Sequence, residues 1–238
     1  MSWGNVHAKW VDRSFVHSQE HTTLIRQFMA AHCLCEASNP LVIVDGKEDV
    51  QEQYKNSALH WSRVFEWPWA IMHGKHGPGV LALDAGGGHG PFQHVLAPRV
   101  RTVFNVDKDQ RSLDFAQVHP MNRGNLKCIL GDITDLPFPN GFFDQVYCIS
   151  VLEHIQDWWN VFQELLRVVK SGGRLVLTMD VMIRGIIKDE FFVTIKDAEE
   201  VVKFLGGTIP KPIGEAVSLN HMKTGEDLLC LCLCADKE

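Results

Sequence analysis

A carboxylate followed by a glycine-rich turn is the first feature of this sequence that could carry chemistry. The apolar residues 81–83 lead into Asp84, and glycines follow at Gly86, Gly88 and Gly90. Such a turn lets backbone N–H groups approach a ligand more closely than residues with side chains allow. The dinucleotide pattern G-x-G-x-x-G is incomplete, because Pro91 occupies its third glycine position. The turn therefore predicts a small-ligand site and leaves the class of ligand open.

Further polar residues follow the later apolar segments, namely Asp107, Asp132 and Ser150. In an open parallel sheet, ligands bind beyond the carboxyl ends of the strands. These acceptors suit an uncharged ribose and an adenine, whereas a polyphosphate would be repelled and would lack the usual Lys-Ser/Thr pair after the glycines. Asp107 is placed to accept hydrogen bonds from both ribose hydroxyls, each worth roughly 1.5–3 kcal/mol. Any one of these aspartates alone could equally cap a strand or a helix.

The elements that position these residues alternate between strands and helices from Val80 onward. Apolar runs predict strands at 80–84, 102–106, 126–130, 142–149 and 174–179, and the pattern over 155–169 predicts an amphipathic helix. Runs this apolar indicate a parallel sheet covered by helices on both faces. Two last strands, around 215–220 and 228–234, are joined by a turn too short for a crossover, so we expect them to be antiparallel.

Residues 1–75 differ from the rest and predict a helical cap. Ser18 can begin one helix that stops at Asn39-Pro40, and a second is expected from about residue 48 to Trp69, ended or bent by Pro68. The cap could pack on the sheet, cover a ligand as a lid, or do both. Residues 76–238 then form the core of what we expect to be a single domain.

Composition limits the classes of partner and compartment. The chain has 238 residues, a net charge of −6 and no run of Lys or Arg, so we expect no nucleic-acid partner. It shows no apolar stretch of membrane-spanning length and no leader, so the expected location is the cytoplasm. The seven cysteines lack zinc-type spacings. Cys230, Cys232 and Cys234 alternate with leucines and predict apolar residues on one face of a strand, without a metal.

Between about residues 80 and 179 the chain resembles the class I S-adenosylmethionine-dependent methyltransferases that act on small molecules. The resemblance rests on several motifs in the family's order. They are LDAGGGHG at 83–90, NVD at 105–107, GDITDLPF at 131–138, FDQVYCISVLEH at 143–154 and VVKSGGRLVLT at 168–178. It implies a doubly wound, Rossmann-like α/β fold with a seven-stranded, mostly parallel sheet whose last strand is antiparallel.

The resemblance also implies a cofactor, S-adenosylmethionine, whose product is S-adenosylhomocysteine, and a role for each matching residue. Asp84 and the turn through Gly86, Gly88 and Gly90 would hold the amino-acid part, and Ser150 would lie beneath the methionine. The ribose and adenine would be held by Asp107, Lys108, Asp132 and the backbone N–H of Ile133. Gly87 departs from the family pattern, in which cysteine is common, and we expect this to change little.

The cofactor carboxylate needs a cation, for which Arg63 is our candidate, although it could instead form an ion pair with Glu66. The implied reaction is in-line methyl transfer to an oxygen or nitrogen of a small-molecule acceptor, with His154 as the candidate general base. Two alternatives remain open: a nicotinamide-dependent oxidoreductase, which binding of NAD would indicate, and a non-catalytic cofactor-binding scaffold. The sequence leaves the acceptor and the oligomeric state open.

Overall fold

The computed structural model describes residues 2–10, 18–38, 63–184, 193–210, 219–221 and 226–238. These residues form one sheet of eight strands. The strands are β1 Trp3–Trp10, β2 Gly77–Ala85, β3 Val100–Asp107, β4 Leu126–Leu130, β5 Phe143–Ile149, β6 Val169–Arg184, β7 Leu219–His221 and β8 Glu226–Lys237. The helices are α1 Gln19–Ser38, α2 Arg63–His73, α3 Phe92–Leu96, α4 Gln110–Val118, α5 Trp158–Val168 and α6 Ile195–Phe204, with single 3₁₀ turns at Ala97–Arg99 and Leu152–His154.

The sheet confirms the predicted fold class. Its strand order is β1-β8-β6-β5-β2-β3-β4. Strand β7 also pairs with β8 but lies outside this linear order. The pairs β2–β3, β2–β5, β3–β4 and β5–β6 are parallel, and β8 is antiparallel to each of its neighbours. The chain winds outward from β2 to β4, then returns to β5 on the other side of β2. The carboxyl ends of β2 and β5 therefore form the switch point at which open α/β sheets bind ligands.

Strand β1 was not predicted, because we expected the front section to be mostly helical. It forms the sheet edge by pairing with β8, with His7 opposite Cys234. Its residues alternate only weakly between apolar and polar, and most of them are half-buried, as befits an edge strand. The partner that makes it a strand lies at the other end of the sequence, so no local pattern signals the pairing.

The two helices of the front section pack on one face of the sheet. Leu24 and Phe28 of α1 share a buried cluster with Trp69 of α2 and Leu96 of α3. Ser18 caps α1 as expected, since its hydroxyl oxygen accepts from the backbone N–H of His21 at 3.0 Å. Helix α2 continues through Pro68 to His73, so this proline does not end it. The part of the second predicted helix before Arg63 lies outside the described residues.

The other face is covered by α5 and α6. Phe162 and Leu165 of α5 and Val201 of α6 are fully buried in a second cluster against the sheet. Helix α6 begins at the predicted cap, where Thr194 and Asp197 exchange hydrogen bonds in a capping box. Among the described residues, no helix is both long and apolar enough to cross a membrane.

Strand β6 is longer than the sequence predicts. The strand continues along β8 to Arg184, beyond its predicted end at residue 179.

Candidate active site

The glycine turn follows β2 directly and has the backbone geometry that glycine favours. Gly86 has φ of +73° and Gly88 has φ of +53°, both in the left-handed region. A Cβ at Gly86 would lie 2.8 Å from the Val151 side chain that follows β5. The turn therefore passes close to the end of the neighbouring strand, and only a residue without a side chain fits there.

Asp84 ends up beneath this turn with one oxygen unsatisfied. It is 2% exposed, and its Oδ2 has no hydrogen-bond partner among the described residues. Burial, reinforced by the charge of Asp107, raises the pKa of Asp84 to about 7. Asn105 is similar, because its Oδ1 has no described partner while its Nδ2 donates to the Gly88 carbonyl at 2.6 Å. Two buried oxygens thus face the turn without a donor.

Gly87 turns out to matter for this arrangement. A Cβ at this position would lie 2.3 Å from Asp84 Oδ2 and 2.8 Å from Asn105 Oδ1. Such a contact is far below van der Waals distance, so a cysteine would displace one of these side chains. Our expectation that glycine in place of the family's cysteine changes little stays a prediction.

Asp107 links the end of β3 to the same turn. Its Oδ2 accepts from the Gly88 N–H at 3.0 Å, and its Oδ1 accepts from the Asp109 N–H at 2.9 Å. A carboxylate offers about four lone-pair sites, so both oxygens keep acceptor capacity for a ligand. The side chain is half-buried at the rim of the turn, and Lys108 beside it is exposed.

Asp132 and Ile133 follow β4, the next strand of the sheet. Asp132 is exposed, and its Oδ1 accepts from the Thr134 N–H at 2.9 Å. Hydrogen bonds from Thr134 and the positive charge of Lys108 lower the pKa of Asp132. Ile133 is 7% exposed and packs in the core. Lys108 and Asp132 therefore belong to one electrostatic neighbourhood at adjacent strand ends, as the sequence predicts.

Ser150 directly follows β5 and forms hydrogen bonds with residues of two other elements, β6 and α2. It has φ of +51°, unusual for a residue with a side chain, and its N–H donates to the Thr178 carbonyl at 2.9 Å. Its hydroxyl donates to Glu66 Oε2 at 2.8 Å, and the Thr178 hydroxyl donates to the same oxygen. Glu66 therefore fixes the end of β5 from the front section.

Arg63 takes part in the same group through the ion pair that the sequence left as its alternative role. Its Nη1 lies 3.1 Å from Glu66 Oε2, with the arginine side chain 24% exposed and the glutamate fully buried. Burial works against the charge, but the carboxylates of Glu66, Glu153 and Asp180 outweigh it and raise the pKa of Arg63. The spacing of Arg63 and Glu66 in an apolar helix was the only signal of this pair.

His154 is exposed and lies in the 3₁₀ turn after β5. The preceding residue, Glu153, points inward and is fully buried, and its Oε1 accepts from the Asp180 N–H at 3.1 Å. We did not single out Glu153 or Asp180 from the sequence. Each is a single acidic residue in an apolar stretch, which is a weak sign of a buried carboxylate.

Comparisons with known proteins agree with this architecture. The family model described as "Methyltransferase domain" matches residues 83–177. An uncharacterized methyltransferase of Mycobacterium sp. (strain JLS) is 32% identical over 103 residues, which cover 43% of this chain and 40% of that protein. The ubiquinone biosynthesis O-methyltransferase of Pseudomonas fluorescens (strain SBW25) is 32% identical over 100 residues, covering 41% of this chain and 43% of that protein. The chain thus spans less than half the length of these two relatives.

The structural likeness extends further along the chain than the sequence match. The geranyl diphosphate C-methyltransferase of Streptomyces coelicolor A3(2), solved with Mg²⁺, geranyl diphosphate and S-adenosyl-L-homocysteine, superimposes with a TM-score of 0.60. The match covers 84% of this chain and 88% of that one at 16% identity, so it establishes a shared fold. Residues 83–177 thus match the methyltransferase domain model, and the chain shares the fold of a solved methyltransferase.

Proposed function

We propose that this protein transfers a methyl group from S-adenosylmethionine to a small-molecule acceptor. The observation that carries the proposal is the position of Asp107. Its carboxylate accepts a hydrogen bond from the Gly88 N–H of the glycine turn, and both of its oxygens can accept further hydrogen bonds. A carboxylate beside a glycine turn at the sheet's switch point is what an adenosine ribose requires.

The residues present fit this cofactor. The oxygens of Asp84 and Asn105 that have no partner among the described residues can accept from its amino-acid end. We assign the ribose to Asp107 and the adenine to Lys108, Asp132 and the N–H of Ile133. We assign the methionine portion to Asp84, Gly86, Gly88, Gly90 and Ser150. When bound, the cofactor supplies a methyl group on a positively charged sulfonium, which the nearby carboxylates favour.

Arg63 is our candidate for the cofactor carboxylate. A guanidinium has five N–H donors, and among the described residues only its Nη1 bonds Glu66, which leaves donors for a second carboxylate. Glu66 would then hold Arg63 in place while its other contacts orient Ser150. This arrangement makes the front section part of the cofactor site.

For the acceptor, we propose an oxygen or nitrogen of a small molecule, with His154 as the candidate general base. The exposed imidazole follows β5 closely and could take a proton from an acceptor placed over the methyl group. The names of the relatives support a small molecule, since they include an O-methyltransferase of ubiquinone biosynthesis and a geranyl diphosphate C-methyltransferase. The second name shows that carbon acceptors occur on this fold, so product analysis must fix the atom.

The test is methyl transfer itself. We would incubate the protein with methyl-labelled S-adenosylmethionine and a panel of small phenols, alcohols and amines, and locate the label by mass spectrometry. The proposal predicts incorporation on oxygen or nitrogen that is lost in Asp107→Ala, and a lowered kcat with a changed pH profile in His154→Ala. Binding of NAD in place of S-adenosylhomocysteine would overturn it.

A further inference from the structure

A second group of buried side chains lies behind Ser150 and is separate from the proposed cofactor contacts of β2 and β3. It brings together Glu66 from α2, Asp180 from β6 and Cys230 from β8, which we call the Glu66–Asp180–Cys230 cluster. One carboxylate oxygen of each acid and the Cys230 Sγ lie within 4.8 Å of one another, and all three residues are buried. Three such ligand atoms at these separations are close enough together to bind one cation.

The charges around this cluster do not balance. Glu66, Glu153 and Asp180 are all buried carboxylic acids. In the described part of the chain, Arg63 interacts electrostatically with all three, and His154 interacts with Glu153. If all are ionised, the buried group carries two excess negative charges, which a low-dielectric interior opposes strongly. Either protons or a divalent cation must supply the compensation.

The hydrogen bonds favour a cation. Asp180 is 6% exposed, yet its Oδ1 has no hydrogen-bond partner in the described part of the chain, and neither has Oε2 of the fully buried Glu153. Two protonated carboxylic acids would instead be expected to donate to a nearby acceptor. Glu66 is oriented by the hydroxyls of Ser150 and Thr178, as metal-binding carboxylates are oriented by their neighbours.

We propose that the Glu66–Asp180–Cys230 cluster binds a divalent transition-metal ion, with Zn²⁺ as the simplest representative. One thiolate and two carboxylates suit Zn²⁺, Co²⁺ or Fe²⁺ better than Mg²⁺ or Ca²⁺, which prefer oxygen ligands alone. Zn²⁺ bonds of about 2.0–2.3 Å place ligand atoms about 3–4 Å apart, so each side chain needs to shift by less than about 1 Å. Sequence spacing could not show this site, because its ligands come from three distant elements.

Metal binding would also account for the thiol. Cys230 is a free cysteine, 1% exposed, whose sulfur carries a proton as a thiol. A bound Zn²⁺ would displace this proton and form the thiolate, which releases one proton for each metal bound. The site would then fix α2, β6 and β8 relative to one another directly behind Ser150.

The test uses the full chain, freed of metal by a chelator and titrated with Zn²⁺ and with Co²⁺. We expect one Zn²⁺ per chain by elemental analysis, and a thiolate-to-Co²⁺ charge-transfer band in the near ultraviolet. Cys230→Ser should abolish that band, and Asp180→Asn should weaken Zn²⁺ binding at least tenfold. Cys234→Ser is the matched control, because Cys234 lies on the same face of β8 outside the cluster. This variant should keep both the charge-transfer band and Zn²⁺ binding.

Two results would overturn the proposal. One is the absence of stoichiometric binding or of the charge-transfer band in the unmodified protein, which decides the matter even if a variant fails to fold. The other is equal binding by Cys230→Ser and Cys234→Ser, with circular dichroism showing both folded. Neither measurement involves methyl transfer, so failure of the metal site is distinguishable from failure of the proposed function.

Discussion

The Ser150 hydroxyl donates a 2.8 Å hydrogen bond to Glu66 Oε2 across 84 residues of sequence. This contact joins α2 of the front section to the end of β5, at the switch point of the sheet. Because the Thr178 hydroxyl and Arg63 bind the same carboxylate, Glu66 connects three residues beside the proposed methionine site. The front section thus contributes residues to the proposed methionine site.

We therefore predict that Glu66→Ala strongly destabilises the protein. Removing Glu66 leaves the Arg63 charge and two hydroxyls without their acceptor, and loss of one partner of a buried ion pair costs about 3–5 kcal/mol. Urea denaturation in the presence of a chelator should show a fall of about 3 kcal/mol in the free energy of unfolding. Glu199→Ala, on the exposed face of α6, should change it by less than about 0.5 kcal/mol. Equal effects of the two variants would contradict the role of Glu66.

Asp107→Ala should weaken S-adenosylhomocysteine binding at least tenfold and leave the fold intact. The variant would lose the two proposed hydrogen bonds from the ribose hydroxyls to the Asp107 carboxylate. Each such bond contributes roughly 1.5–3 kcal/mol, and about 1.4 kcal/mol is tenfold in affinity. Calorimetric titration measures the change. The matched control is Asp114→Ala on the exposed surface of the neighbouring helix α4, for which we expect affinity within twofold of the unmodified protein. Unchanged affinity in Asp107→Ala would remove this residue from the site.

Gly87→Ala should damage both stability and cofactor binding, whereas Gly79→Ala should affect neither. The added methyl group would lie 2.3 Å from Asp84 Oδ2, while a Cβ at Gly79 meets nothing within 4 Å. Strain of this kind typically costs about 1–3 kcal/mol. Thermal unfolding and titration with S-adenosylhomocysteine would compare the two variants. If Gly87→Ala behaves like Gly79→Ala, the turn does not lie as close to Asp84 as described.

Asp84 should make the protein, without cofactor, less stable as the pH rises from 5 to 8. The folded state holds its proton up to a pKa of about 7, whereas the unfolded chain releases it near 3.8. Between about pH 4 and pH 7 the folded state therefore binds more protons, and its stability falls with rising pH. We would measure the free energy of unfolding by urea denaturation at pH 5 and at pH 8. From pH 5 to pH 8, this free energy should fall by about 2–3 kcal/mol more in the unmodified protein than in Asp84→Asn. Parallel pH curves for the two proteins would show that Asp84 has an ordinary pKa.

The sequence predicted the parts of the molecule that depend on local signals. Strands β2 to β5 end where apolar runs meet Asp84, Asp107, Asp132 and Ser150, because each strand's pattern and its terminal polar residue are neighbours in sequence. Strand β1 was missed, since it becomes a strand only by pairing with β8 at the far end of the chain.

Contacts between distant residues explain the remaining differences. The group around Glu66 was missed because Ser150, Thr178 and Asp180 reach it only after the sheet has assembled, and nothing in their spacing indicates a shared neighbour. The clash at Gly87 depends on where the Asp84 side chain turns within the folded site. The pattern of residue types predicts which positions face a ligand. The assembled structure determines which side chains interact electrostatically and which are in steric contact.

The most direct test of the central claim is calorimetric titration of the purified protein with S-adenosylhomocysteine, with NAD as the control ligand. We predict binding of S-adenosylhomocysteine with a micromolar Kd at one site per chain, and no detectable binding of NAD. Binding of NAD alone, or of neither ligand, would contradict the assignment of the glycine turn and Asp107 as a methyl-donor site.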